Sequence, residues 1–171
     1  MLIFRIADAR FPIWDSTGAS LVGGRWNRPG YPVIYGSLSQ SCAILERLGH
    51  TGGVGHLPGS QRLVIATVPP SVAVEKRDVD SLPPGWSDEE SASARAFGDQ
   101  WLDECRSAVL LVPSVIATTD FNALVNPKHP DASRIEVAEP VGFEFVDILL
   151  ALGRRPALAR EGQGFLPRLK R

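Results

Sequence analysis

Apolar residues in this chain gather in short runs set off by Gly, Pro, Ser and Asp, the pattern of a strand-rich domain. Leu2 to Ala7 predicts a buried first strand, and Asp8 to Gly24 follows as an irregular connection. Pro32 to Gly36 predicts a second strand, after which Ser39, a suitable N-cap, opens a helix from about Gln40 to Leu48. Ile44, Leu45 and Leu48 fall on one face of that helix. Glu46 lies about 100° around from Leu45, so it need not face the same core and could sit at a cleft edge beside the strand that ends in Tyr35. Leu63 to Val68 and Val72 to Glu75 predict strands separated by Pro69-Pro70, which has no ladder donor to give. Ser87 and Glu90 have the form of a capping box, and Ala94, Phe97, Trp101 and Cys105 follow at helical spacing as candidate core. Val109 to Val112 and Val115 to Ala117 predict two strand pieces around a break at Pro113-Ser114 that aims the serine. Ile135 to Val137 and Phe143 to Val146 complete the set. Many short strands with two clear helices, and no repeat, indicate an α+β fold rather than alternating α/β.

A length of 171 residues with ordinary apolar and charged fractions fits one compact domain, placed at residues 1 to 150. Charge separates the remainder, residues 151 to 171. Arg154, Arg155, Arg160, Arg168, Lys170 and Arg171 there face only Glu161, which makes a basic C-terminal extension, read as a solvated terminus in preference to a docking element. The net charge of -1 gives no general attraction to nucleic acid or anionic membrane. No stretch approaches the ~20 apolar residues of a spanning helix, and the amino terminus lacks the features of a secretory signal, so a cytoplasmic location is expected. Cys42 and Cys105 both sit in helix-like apolar patterns and are expected to be free core thiols. Gly49 to Gly59, with five glycines, predicts a long loop able to act as a lid. Its Gly53-Val54-Gly55 follows a helix rather than a strand, which argues against a dinucleotide fingerprint.

Four polar positions stand in distinctive contexts: Arg25 in Gly-Gly-Arg-Trp-Asn, Tyr35 closing Pro-Val-Ile-Tyr, Glu46 in Ala-Ile-Leu-Glu, and Ser114 in Val-Pro-Ser-Val. In that order, and with Asn126-Pro127-Lys128-His129-Pro130 further on, they resemble the RES domain, the toxin half of bacterial toxin-antitoxin pairs, over about Leu2 to Phe145. The resemblance implies an ADP-ribosyltransferase-like split β-structure with an NAD-binding cleft lined by an Arg-Tyr-Glu set. It implies NAD+ as a substrate rather than a prosthetic group, with ADP-ribose passed to water, phosphate or a protein target. It also implies a cognate Xre-like helix-turn-helix antitoxin that covers the cleft and itself binds the operon's DNA. Direct nucleic-acid binding by this chain is not expected, and homo-oligomerisation stays open.

On this reading Arg25 anchors the diphosphate or ribose, because a planar guanidinium bonds two oxygens at once; taken alone, it could equally stack on Trp26. Tyr35 offers a ring to stack nicotinamide, though a strand tyrosine often only packs. Glu46 supplies a carboxylate to the oxocarbenium-like ribose formed as the nicotinamide bond breaks. Ser114 either bonds the nicotinamide carboxamide or orients Glu46, and by itself could serve a local backbone group. Asn126 is assigned to cofactor binding, with His129 beside it at the pocket edge. No Gly-x-Ser-x-Gly elbow surrounds any serine, and His50, His56 and His129 show no metal-ligand spacing, so neither a serine hydrolase nor a metal site is expected. A non-catalytic nucleotide- or antitoxin-binding module is the alternative.

Overall fold

In a computed structural model that describes residues 1 to 50 and 60 to 144, eight strands form one sheet against which two longer helices pack. In chain order the elements are β1 (Leu2–Asp8), α1 (Thr17–Val22), β2 (Ile34–Ser37), α2 (Gln40–His50), β3 (Gln61–Thr67), β4 (Val74–Lys76), α3 (Ala92–Asp103), β5 (Val109–Pro113), β6 (Phe121–Val125), β7 (Glu136–Val137) and β8 (Val141–Phe143). The sheet order is β4-β5-β6-β2-β1-β3-β7, with β8 also on β3; β4 and β5 run parallel and every other pair antiparallel. This is an α+β architecture. The expected split is a narrowing rather than a gap. β1 lies along β3 for its whole length, from Leu2↔Thr67 to Asp8↔Gln61, yet meets β2 at Phe4↔Ser37 alone. There Arg5 reaches across with its guanidinium, donating to the carbonyls of Ile13 and Tyr35, and burial pulls its pKa down to about 10.

Alternation along the strands gives the sheet two apolar faces. Ile3, Ile34, Ala66, Val109, Leu111, Ala123 and Val125 make one core. The opposite face is divided. α3 and the loop after α1 cover Leu110, Val112 and Leu124 with Trp26, Val33, Ala94 and Trp101, while α2 covers Ile6 and Leu63 with Ala43 and Leu48. Between these two clusters, on the same face, lie Ser37 and its partner Asn122.

Several expectations are corrected here. The connection after β1 contains α1, a short helix with no buried residue. α2 does begin under Ser39, whose Oγ accepts from the Cys42 N–H at 3.1 Å, and of its expected inward face Leu48 is buried with Ile44 packed beside it, but Cys42 and Ala43 are also buried and Leu45 is 42 % exposed. Glu46, one turn beyond Cys42, therefore points toward the sheet. α3 starts at Ala92 rather than near Ser87, because Trp86 stacks on Trp26 and the chain passes through successive turns closed by Gly85, Asp88 and Ser91 before helix begins. Trp101 and Ala94 are core and Phe97 is half-buried, while Cys105 follows the helix with φ 49°. Val115 to Ala117 is not a strand, and β6, which the sequence pattern did not indicate, supplies the pairing in its place. β8 ends at Phe143 and Glu144 lies beyond the strand, while Phe145 and Val146 of the predicted run, like the predicted lid beyond His50 and the basic extension, lie outside the described residues.

Candidate active site

Two groups of side chains share the divided face of the sheet. The first is built on α2, β2, β6 and the end of β5. Glu46 of α2 accepts two hydrogen bonds on one oxygen: Ser114 Oγ donates to Oε1 at 2.8 Å and Asn122 Nδ2 at 2.6 Å. Oε2 has no hydrogen-bond partner among the described residues. Ser114, 1 % exposed, is fixed in turn by the Ile116 and Ala117 N–H groups, which donate to its Oγ at 3.1 and 2.9 Å. Those two N–H groups would serve a ladder if Val115 to Ala117 were a strand, so the serine and the strand break are one feature. With its single proton given to Glu46, Ser114 orients the carboxylate and has no donor left for a carboxamide. Behind Asn122, its Oδ1 accepts from Ser37 Oγ at 2.8 Å and from Cys42 Sγ at 3.6 Å. Burial pushes the Cys42 thiol up, which keeps it a donor.

The second group is the loop from Gly23 to Tyr31. Gly23 takes φ 75°, closed to most residues, and turns the chain out of α1. Asn27, fully buried, donates to the carbonyls of Ala19 and Tyr31 at 2.8 and 2.9 Å and accepts from the Tyr35 hydroxyl at 2.6 Å. That hydroxyl also accepts from the Trp26 N–H at 3.1 Å. Burial drives the Tyr35 phenol upward, so it stays neutral and its polar tip is committed to the loop. The loop is tied to α3 as well: the Arg28 N–H donates to Asp99 Oδ1 at 3.0 Å, and Arg28 Nε bonds Oδ2. Arg25, held on this frame, donates from Nη1 to the carbonyls of Trp86 and Asp88 at 3.1 and 2.7 Å. Its Nε and Nη2 carry no hydrogen bond to the described residues, so one edge of the fork is anchored and the other is open.

β2 connects the groups. Tyr35 and Ser37 point to the same side, about 7 Å apart along the strand, so the tyrosine that holds the arginine loop neighbours the serine that holds Asn122. Of the residues singled out from sequence, Glu46 and Ser114 touch, Tyr35 and Arg25 share one loop framework, and Asn126 joins neither group. Asn126 closes the far end of β6: its Oδ1 accepts from the Lys128 N–H at 3.0 Å, and it lines a cavity of about 180 Å³ with Tyr31 and Pro32. His129 caps the turn that follows. A larger groove, about 510 Å³, runs along the outside of α3. Arg28 and Arg95 there face Asp99, Asp103 and Glu104, a mixture with no pull on a dianionic diphosphate. Sequence reasoning missed Asn122 and Asn27. The asparagine of Gly-Gly-Arg-Trp-Asn was in view as part of the motif; Asn122 would have needed β6 and its register.

The family model described as RES domain matches residues 2–145. A Sphingobium sp. (strain YBL2) protein named Prs ADP-ribosylating toxin is 41 % identical over 125 residues, covering 71 % of this chain and 77 % of that protein. A Pseudomonas putida protein named Toxin Res is 33 % identical over 138 residues, 80 % of this chain and 92 % of its own. The fold is similar to that of a chain in the crystal structure of the M. tuberculosis MbcT-MbcA toxin-antitoxin complex, with a TM-score of 0.73, 18 % identity, and coverage of 90 % and 88 % of the two chains.

Proposed function

This chain belongs to the RES domain family, and we propose that it is a toxin that removes nicotinamide from NAD+ and transfers the ADP-ribosyl group. The observation that carries the reading is the Glu46 carboxylate, pinned through Oε1 by Ser114 and Asn122, with Oε2 bonded to none of the described residues. In the reaction the bond between ribose C1′ and the nicotinamide nitrogen breaks, and its electron pair goes to the pyridinium ring. The ribose becomes oxocarbenium-like, and a preorganised carboxylate oxygen beside it stabilises the developing positive charge or accepts from a ribose hydroxyl. The acceptor then bonds C1′ and gives up its proton.

Arg25 binds the diphosphate through the open edge of its guanidinium, a charge-assisted and forked contact. Tyr35 contributes by fixing the loop that carries Arg25, since both bonds of its hydroxyl are spent there. The name of the Sphingobium relative supports a protein acceptor over water or phosphate. The toxin-antitoxin complex of similar fold supports a cognate antitoxin as partner, of the Xre-like helix-turn-helix kind in keeping with the family resemblance.

The test is nicotinamide release from NAD+ by the purified protein, with product identification by mass spectrometry. Glu46→Gln should lower turnover by roughly a hundredfold or more at unchanged fold, because the lost charge is used mainly in the transition state. A near-normal rate in that variant removes Glu46 from the mechanism.

A further inference from the structure

Asn122 is set into the interior of the sheet. β6 is paired on both edges, to Val112 of β5 on one side and to Ser37 of β2 on the other, and Asn122 stands at the register position shared by all three strands. Its amide has one workable orientation. Oδ1 receives the Ser37 hydroxyl and the Cys42 thiol, both donors, while Nδ2 gives its proton to Glu46 Oε1 at 2.6 Å. A flipped amide would set its oxygen against the carboxylate, two acceptors with no proton between them. Ser114 adds a second donor to the same Oε1 at 2.8 Å, so that oxygen accepts from two side chains at once.

We propose that Asn122 is a positioning residue of the NAD+-cleaving site: with Ser114 it saturates Oε1 of Glu46, locks the carboxylate plane, and leaves Oε2 as the oxygen that meets the ribose. Ser37 and Cys42 act one step further out by fixing the amide. The inference rests on the functional reading above, and it assigns to a strand asparagine the selection of which carboxylate oxygen reacts.

Steady-state nicotinamide release, with melting temperature measured in parallel, tests it on wild type, Asn122→Ala, Asn122→Asp and Glu46→Gln. Asn122→Ala should lower kcat about 10- to 100-fold, as loss of a preorganised donor does, and move KM for NAD+ by less than about threefold. Asn122→Asp keeps the shape of the side chain and so carries the test if the alanine variant folds poorly. At pH 8 the introduced carboxylate opposes that of Glu46, and kcat is low. Toward pH 5 the pair retains one proton, one member donates to the other, and kcat relative to wild type at the same pH should recover about fivefold or more. A purely structural asparagine gives no such recovery. An alanine variant within twofold of wild-type kcat, or a flat pH ratio for the aspartate variant, overturns the inference. If Glu46→Gln is inactive while Asn122→Ala is normal, only this inference fails; a wild-type protein that releases no nicotinamide overturns the functional reading along with it.

Discussion

Tyr35→Phe separates a tyrosine that builds the site from one that acts on substrate. The substitution removes one oxygen and leaves the ring in place among Trp26, Val33, Leu110 and Leu124. Two buried groups lose a partner. The Asn27 carbonyl oxygen, in a fully buried side chain, loses its donor at 2.6 Å, and the Trp26 N–H, in a residue 2 % exposed, loses its acceptor at 3.1 Å. A buried polar group left unsatisfied costs about 1 to 3 kcal/mol, so two give about 2 to 6, and removing the buried hydroxyl's own desolvation brings the net to about 3 kcal/mol. For a chain of 171 residues that corresponds to a fall in Tm of about 6 to 12 °C. Because the released loop carries Arg25, KM for NAD+ should rise more than kcat falls at a temperature where the variant is folded. Thermal unfolding followed by circular dichroism, paired with nicotinamide-release kinetics, reads both quantities. A Tm shift below about 2 °C refutes the argument that this hydroxyl holds the loop. Unchanged Tm with a collapsed kcat would move the hydroxyl onto the substrate.

Arg25→Lys should weaken NAD+ binding by about 1 to 3 kcal/mol, because one ammonium cannot both hold the Trp86 and Asp88 carbonyls and grip a diphosphate; calorimetry on a Glu46→Gln background measures it, and unchanged affinity makes Arg25 a loop anchor only. Asp8, which accepts from the Arg10 side chain and backbone N–H, is held at about 2 in the folded chain against an unfolded value of about 3.9. A depressed carboxyl stabilises the fold above its unfolded pKa and loses that contribution as pH falls through the folded one. Asp8→Asn should therefore lower stability at neutral pH and flatten the part of the acid limb between about pH 4 and pH 2; an unaltered limb in urea titrations contradicts it.

The parts of the fold that could be read from sequence are those whose polar residues serve the backbone. β1 and β3 carry mostly apolar runs, broken in β1 by Arg5, that pair along seven positions, and α2 announces itself with Ser39 as a side-chain cap. The start of α3 could not be read this way. Ser87 and Glu90 look like a local cap, but the stacking of Trp86 on Trp26 and the hold of Arg25 on the Trp86 and Asp88 carbonyls impose turns on that stretch, a long-range effect that no local pattern contains. On α2 the expectation failed at Leu45, while Ile44 and Leu48 do pack inward, and the reason is related. Leu45 is more apolar than Cys42, yet Cys42 is the residue that meets Asn122, so the helix turns to bring Cys42 and Glu46 to the sheet.

The two strand errors have one cause. Val115 to Ala117 is apolar enough to be a strand, but the Ser114 hydroxyl takes two of its N–H groups. Phe121 to Val125 is a central strand, but asparagine, depleted in strands, sits second in it and weakens the signal. Both polar residues end on the same atom, Oε1 of Glu46. Local rules thus fail at the two places where a side chain is directed to the carboxylate instead of to solvent or backbone, as expected where function competes with regular structure. Glu46 itself is legible only as a motif residue. Its hydrogen-bonded setting comes from Ser114, 68 positions away, and Asn122, 76 positions away, and only the folded sheet brings them together.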